Sequence, residues 1–133
     1  MRCVNDSKAT NVDSTLVALK ALEPSGKRLL LILGGLHKGS PYTPLKPWIE
    51  KTVKGILTIG SAARRIDEDL SGLVSIFPCG ELAVAVDTAL RVAEKGDVLL
   101  LSPACASFDQ FQDYEDRGRQ FKALVAAAAK KPR

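Results

Sequence analysis

The stretch Arg28-Leu29-Leu30-Leu31-Ile32-Leu33-Gly34-Gly35 decides the fold of this chain. Five consecutive aliphatic side chains cannot alternate between a wet and a dry face. The run therefore reads as a strand buried on both sides, the kind found inside a mainly parallel sheet. Gly34-Gly35 ends it. Asp97 to Leu101 has the same character and reads as a second such strand.

Short apolar runs alternate with amphipathic segments on either side of these two. Upstream, Cys3-Val4-Asn5 ends a first strand, and Val12 to Leu22 places Val12, Leu16, Leu19 and Leu22 on one helical face. Thr10 or Asn11 is the candidate cap of that helix, and Pro24-Ser25-Gly26 stops it. Downstream, Leu45 to Lys51 reads as a short helix with Pro44 or Pro47 in its first turn. Val53 to Gly60 reads as a strand, and Ser61 as the cap of a helix running to Leu70. Leu73 to Phe77 reads as a strand and Pro78-Cys79-Gly80 as a turn. Glu81 to Glu94 reads as a helix closed by Lys95-Gly96, and Tyr114 to Ala129 as the last helix, with fraying expected from Ala126 to Arg133. The pattern predicts one α/β domain with a mainly parallel sheet, about five strands and five helices.

Bulk composition excludes several functions. The chain has 133 residues, 46% hydrophobic and 26% charged, the mix of a globular domain. Its longest apolar runs are far shorter than the ~20 residues a membrane helix needs. Met1 is followed at once by charged and polar residues rather than by an apolar leader, so a cytoplasmic location is expected. Three cysteines, no CxxC pair and a single histidine argue against a disulfide framework and against a structural metal. The net charge of +4 owes much to Arg117, Arg119, Lys122, Lys130, Lys131 and Arg133. No nucleic-acid motif accompanies them, and the same charge excess suits a small anionic substrate.

Three loops that follow strands carry the chemistry. Asn5-Asp6-Ser7-Lys8-Ala9-Thr10-Asn11 packs donors and acceptors between a strand and a helix N-terminus, where anions are favoured. Gly34-Gly35-Leu36-His37-Lys38-Gly39-Ser40 lets the backbone approach a ligand and adds a lysine. Ser102-Pro103-Ala104-Cys105-Ala106-Ser107-Phe108-Asp109 offers small residues and two hydroxyls. Ligands of open α/β sheets bind at the carboxyl edge of the strands, where all three loops belong. Together, Lys8, Lys38, Thr10 and Ser107 suit a compact dicarboxylate or amino acid. No G-x-x-x-x-G-K-[ST] string occurs in the chain. Cys105 and Ser107 lack a G-x-S-x-G frame, so a covalent nucleophile is not expected.

The strings Asn5–Asn11, Leu33-Gly34-Gly35-x-x-Lys38 and Leu100–Ser107 stand in an order and spacing that resembles the D-glutamate-adding branch of the Mur ligase family. Phe108-Asp109-Gln110-Phe111 and Glu115-x-Arg117-Gly118-x-x-Phe121 extend the match over essentially the whole chain. The resemblance implies the C-terminal domain of a three-domain, ATP-dependent ligase, with an α/β fold that is a Rossmann-like three-layer sandwich: a mainly parallel sheet of five to six strands, five parallel and one antiparallel, with helices on both faces. That enzyme adds D-glutamate to UDP-N-acetylmuramoyl-L-alanine through an acyl phosphate, in peptidoglycan synthesis. The UDP-binding domain and the central domain that holds most of ATP and Mg would lie outside this chain, leaving it inactive alone. By motif, Thr10 and Lys38 would hold the α-carboxylate of D-glutamate. Ser107, with backbone near Phe108 and Tyr114, would hold its side-chain carboxylate. Asp6 would face the ATP ribose, and Lys8 would sit at ATP and the reaction centre as the catalytic residue. A monomer is implied, with neither nucleic acid nor membrane as partner. Leu36-His37 departs from the related Gly-Gly-x-Gly-Lys pattern, Tyr114 stands for a phenylalanine, and Cys3 for an aromatic. The alternative is a standalone, non-catalytic amino-acid or anion-binding module descended from such a ligase.

Overall fold

The computed structural model describes residues 2–130. Five strands, β1 (Arg2–Asn5), β2 (Leu29–Gly34), β3 (Val53–Ile59), β4 (Ser75–Gly80) and β5 (Val98–Leu101), form one sheet in the order β1-β5-β2-β3-β4. Every pairing is parallel. The antiparallel strand that the resemblance implies is not among the described elements. An isolated antiparallel bridge between Leu36 and Ala106 is the only antiparallel pairing they contain. The helices are α1 (Val12–Ala21), α2 (Lys46–Thr52), α3 (Ala63–Leu70), α4 (Leu82–Val92) and α5 (Tyr114–Ala129).

The aliphatic runs are buried as their composition dictates, and alternation along each strand assigns them to two cores. Leu29, Leu31 and Leu33 of β2 and Val98 and Leu100 of β5 pack with Leu19 of α1, Ile49 of α2 and Ile66 of α3. Leu30, Ile32, Leu99 and Leu101 face the other way, against Ala85 and Ala89 of α4 and Phe121 of α5. Each fully buried aliphatic side chain contributes about 1.5–3 kcal/mol. The chain steps across the sheet from β1 to β4 with α1–α3 on one face, then returns from β4 to β5 with α4 on the other. This is what right-handed crossovers require when the direction of travel reverses.

Several details differ from the sequence reading. Pro78, Cys79 and Gly80 belong to β4 rather than to a turn, with Thr58 opposite Pro78. A proline is tolerated there because β4 is an edge strand, with one side free of a ladder. Ser61 does not cap α3, whose first turn has no side-chain cap. Its hydroxyl and N–H turn instead to Gly35 and Asp109, at 3.3 and 3.2 Å. Asn11 does cap α1, accepting from the Ser14 N–H at 2.8 Å. Helix α5 runs on to Ala129, beyond the expected onset of fraying at Ala126; residues 131–133 of that expected tail lie outside the described residues.

The amino edge of the sheet carries an ionic cluster. Lys54 Nζ meets Asp97 at 2.6 Å and Glu94 at 3.2 Å, and Arg28 approaches Asp97 at 3.9 Å. The Asp97 side chain is wholly buried. Burial opposes its charge, but the Glu94 N–H and the Lys54 ammonium outweigh that and hold its carboxyl below the usual range.

Candidate functional site

The strand order makes neighbours of the three polar loops, since β1, β5 and β2 are adjacent. The backbone then stitches the loops together. The Asp6 N–H donates to the Leu101 carbonyl at 2.8 Å and the Ala104 N–H to the Ala9 carbonyl at 2.9 Å. The Gly34 N–H donates to the Pro103 carbonyl at 2.9 Å, and that of Leu36 to Ala106 at 2.8 Å. Ala104 lies at φ 61, the single non-glycine residue with positive φ among those described. An L residue there costs about 1–2 kcal/mol, a strain held in place by the surrounding bonds.

Glycine is required at the base of the second loop. A Cβ on Gly34 would land on the Ile59 carbonyl oxygen, and one on Gly35 would stand 2.5 Å from that of Ala106. Both residues also have strongly positive φ. The Gly34-Gly35 pair therefore serves close strand-to-loop approach, which carries Leu36 to its bridge with Ala106.

Behind the loops lies Arg117 of α5, completely buried. Its guanidinium donates to the Ser7 hydroxyl at 3.0 Å, the Ser7 carbonyl at 2.6 Å and the Cys105 carbonyl at 3.1 Å. Burial lowers its pKa to about 10, which leaves it charged at neutral pH. The Ser7 hydroxyl in turn donates a hydrogen bond to the Tyr114 carbonyl at 2.6 Å. One arginine thus ties the first loop to the third. Gly118 lets this happen, since its missing Cβ would stand 3.3 Å from both Asn5 and Ser7. Sequence reading missed the role of Arg117, although Arg117-Gly118 lies within a matched string. The available signal was an arginine four residues before Phe121, on the same helical face as a core aromatic.

A second network runs through Tyr42, also missed. Its buried hydroxyl lies 2.8 Å from His37 Nδ1 and 3.1 Å from Cys105 Sγ. Desolvation, with the Cys105 contact, pushes the tyrosine pKa upward, and burial likewise raises the Cys105 thiol. Burial thus disfavours the thiolate at Cys105.

The sequence-predicted residues fall into two groups. Asp6, Lys8 and Tyr114 line one cavity of about 320 Å³, together with Ser7, Arg119 and Lys122. Within it Asp6 is oriented by the Ser102 hydroxyl, which donates to its Oδ2 at 2.8 Å, while Thr15 donates to the Ser102 carbonyl at 3.0 Å. Thr10, Lys38, Ser107 and Phe108 do not line that cavity. Lys8 and Lys38 are exposed, Thr10 is half-buried and Ser107 is buried. Ser107 Oγ sits in a loop closed by the Phe111 N–H bond to its carbonyl at 2.9 Å. Phe108 is 69% exposed and Tyr114 42%, beside Leu36 at 40%, which leaves apolar surface at the same edge as the lysines. Among the described residues no group of three His, Cys, Asp or Glu is placed to hold a metal, and no helix is long and apolar enough to cross a membrane.

Comparison with known proteins gives the family. Residues 1–105 match the family described as "Mur ligase, glutamate ligase domain". A UDP-N-acetylmuramoylalanine–D-glutamate ligase of Elusimicrobium minutum is 51% identical over 121 residues, 91% of this chain and 26% of that protein. The enzymes of that name from Anaeromyxobacter dehalogenans and Myxococcus xanthus are 50% and 53% identical, over 96% and 93% of the chain and 28% and 27% of their own lengths. The chain spans about a quarter of the length of these relatives. With most of its length matched and its loops joined at one sheet edge, the chain belongs to the glutamate ligase domain family of the Mur ligases.

Proposed function

We propose that this chain is the C-terminal, D-glutamate-binding domain of a cytoplasmic, ATP-dependent ligase that joins D-glutamate to UDP-N-acetylmuramoyl-L-alanine in peptidoglycan synthesis. The observation that carries the reading is the adjacency of the loops after β1, β5 and β2, with Lys8 and Lys38 exposed on two of them and Ser107 buried on the third. Domains for the UDP-sugar and for ATP with Mg complete the enzyme outside these residues.

Each side chain then has a part. Lys38 and Thr10 hold the α-carboxylate of D-glutamate, the first by charge and the second by a directed hydrogen bond. Ser107, with backbone near Phe108 and Tyr114, holds the distal carboxylate. Asp6, with one oxygen already oriented by Ser102, presents the other to a ribose hydroxyl of ATP. Lys8, on the same cavity as Asp6, stabilises negative charge as the D-glutamate amine attacks the acyl phosphate of the UDP-sugar peptide and phosphate departs. The domain contributes position and charge rather than a covalent bond. The exposed Phe108, Tyr114 and Leu36 form the apolar part of the surface that closes on the ATP-binding domain.

The test is phosphate release and product formation from ATP, UDP-N-acetylmuramoyl-L-alanine and D-glutamate. The 133 residues alone give neither, and the protein joined to its two partner domains gives both, with D-glutamate but not L-glutamate. Product from the isolated chain, or a native gene product near 14.3 kDa rather than of three domains, rejects the reading in favour of a standalone binding module.

A further inference from the structure

Lys38 sits on a short excursion whose two ends are held by different means. On the amino side, the Leu36 N–H donates to the Ala106 carbonyl. On the carboxyl side the tie is made by side chains. His37 Nδ1 lies 2.8 Å from the Tyr42 hydroxyl, with the rings 5.5 Å apart and tilted by 45°. That hydroxyl reaches Cys105 Sγ at 3.1 Å, and Cys105 stands two residues before Ser107. Residues 38–41 between the anchors are exposed. Gly39 has φ +93 and nothing within 4 Å of the place a Cβ would take. No packing within the excursion fixes Lys38, so its position is set by closure at the base.

Tyr42 is the fixed member. It is 1% exposed, and its N–H donates to Asp69 of α3 at 3.0 Å. His37 is half-buried and holds the excursion to it. A hydroxyl between an imidazole nitrogen and a thiol can donate one way and accept the other, so either imidazole tautomer closes the chain.

We propose that His37 is a positioning residue of the amino-acid site. Through Tyr42 and Cys105 it sets the separation between the Lys38 loop and the Ser107 loop, and with it the length of diacid that the site accepts. This rests on the reading of Lys38 and Ser107 given above. Two carboxylates gripped by separately tethered loops are told apart from a shorter pair only as far as the tethers hold their distance.

Three substitutions test it. Tyr42→Phe keeps the buried ring and deletes both bonds. His37→Ala deletes one bond at a half-exposed position, so it carries the test if Tyr42→Phe fails to fold. His37→Asn returns a group able to bond the hydroxyl. In this chain, hydrogen exchange at the Leu36 and Tyr42 amides, bonded to Ala106 and Asp69 at the two ends of the excursion, should quicken by about five- to tenfold in His37→Ala, as loss of one net hydrogen bond implies, and by at least as much in Tyr42→Phe. In the intact ligase, the KM for D-glutamate should rise by about the same factor, with kcat and the KM for ATP within about twofold. Discrimination against D-aspartate should narrow, and His37→Asn should recover part of the loss. Unchanged exchange overturns the proposal, as does faster exchange with unaltered D-glutamate KM and selectivity. Failure of the intact wild-type protein to ligate D-glutamate overturns the reading of the site instead, and exchange then judges the tie alone.

Discussion

Ser102 donates its hydroxyl proton to the Asp6 carboxylate at 2.8 Å, from the end of one parallel strand to the loop of its neighbour. Ser102 is completely buried, so this orientation is built in before any ligand arrives. Ser102→Ala should raise the KM for ATP in the intact ligase by about three- to tenfold, the worth of one ordinary net hydrogen bond, since the lost bond orients the carboxylate rather than touching ATP. The KM for D-glutamate should stay within about twofold. Steady-state kinetics with each substrate varied in turn checks this.

Arg117→Met keeps most of the side-chain volume and removes every donor. The Ser7 and Cys105 carbonyls are then left buried without their partner. A loss of about 2–4 kcal/mol in urea unfolding is expected, with a larger loss for Arg117→Ala, which adds a cavity. Arg117→Met at wild-type stability would remove the arginine from the frame of the site.

Gly35→Ala places a methyl against the Ala106 carbonyl in a backbone conformation that L residues avoid. It should cost on the order of 2–4 kcal/mol. Because the strain falls beside the Leu36–Ala106 bridge, protection of the Leu36 amide from hydrogen exchange should drop more than protection in β3. Uniform loss across the sheet would count against a local effect.

Lys38→Ala in the intact ligase should raise the KM for D-glutamate by about tenfold or more and lower turnover, since a charge-assisted bond to the substrate is lost. Unchanged kinetics would take Lys38 out of the site. Lys8→Ala should act mainly on kcat.

At the opposite edge, Asp97 gives a pH signature. Its folded pKa lies below the usual 3.8. Its contribution to stability is therefore complete above that value and is lost as pH falls through the lower, folded one. Lys54, held above 10.5 chiefly by its bond to Asp97, contributes below 10.5 and loses its share as pH rises through its folded pKa. Urea unfolding from pH 2 to 7 should show a steeper acid limb for wild type than for Asp97→Asn. Parallel limbs would exclude the pair as its source.

Much of this fold was legible because its central strands are buried on both faces, and such strands cannot disguise themselves. Leu29–Leu33 and Val98–Leu101 announce both their conformation and their place. The edge strand β4 was harder. It is half-exposed and contains Pro78, so local punctuation outweighed pairing that only the neighbouring β3 reveals. Ser61 was misassigned as a cap because its true partners, Gly35 and Asp109, are 26 and 48 residues distant. The loops themselves could be read as polar and glycine-rich, and the carboxyl edge followed from strand direction. Their adjacency could not be read, because nothing local states that β5 inserts between β1 and β2. Arg117 was hidden for the same reason: a charged residue on a helix reads as surface, and the groups that bury it come from a loop 110 residues away.

The Arg28–Lys54–Glu94–Asp97 cluster stands at the beginnings of the strands, the loops at their ends, about 13 Å of strand apart in β5. The two ends can accordingly diverge on separate schedules. Substitutions among the four charges alter how much folded protein a cell holds, at any substrate. On the proposed reading, substitutions of exposed loop side chains such as Lys8 and Lys38 alter how substrate is held, at little cost in folding. A lineage that gains margin at the charged end acquires tolerance for strained or destabilising changes at the other, and that is how a domain of this design can drift toward a new amino acid without first falling apart.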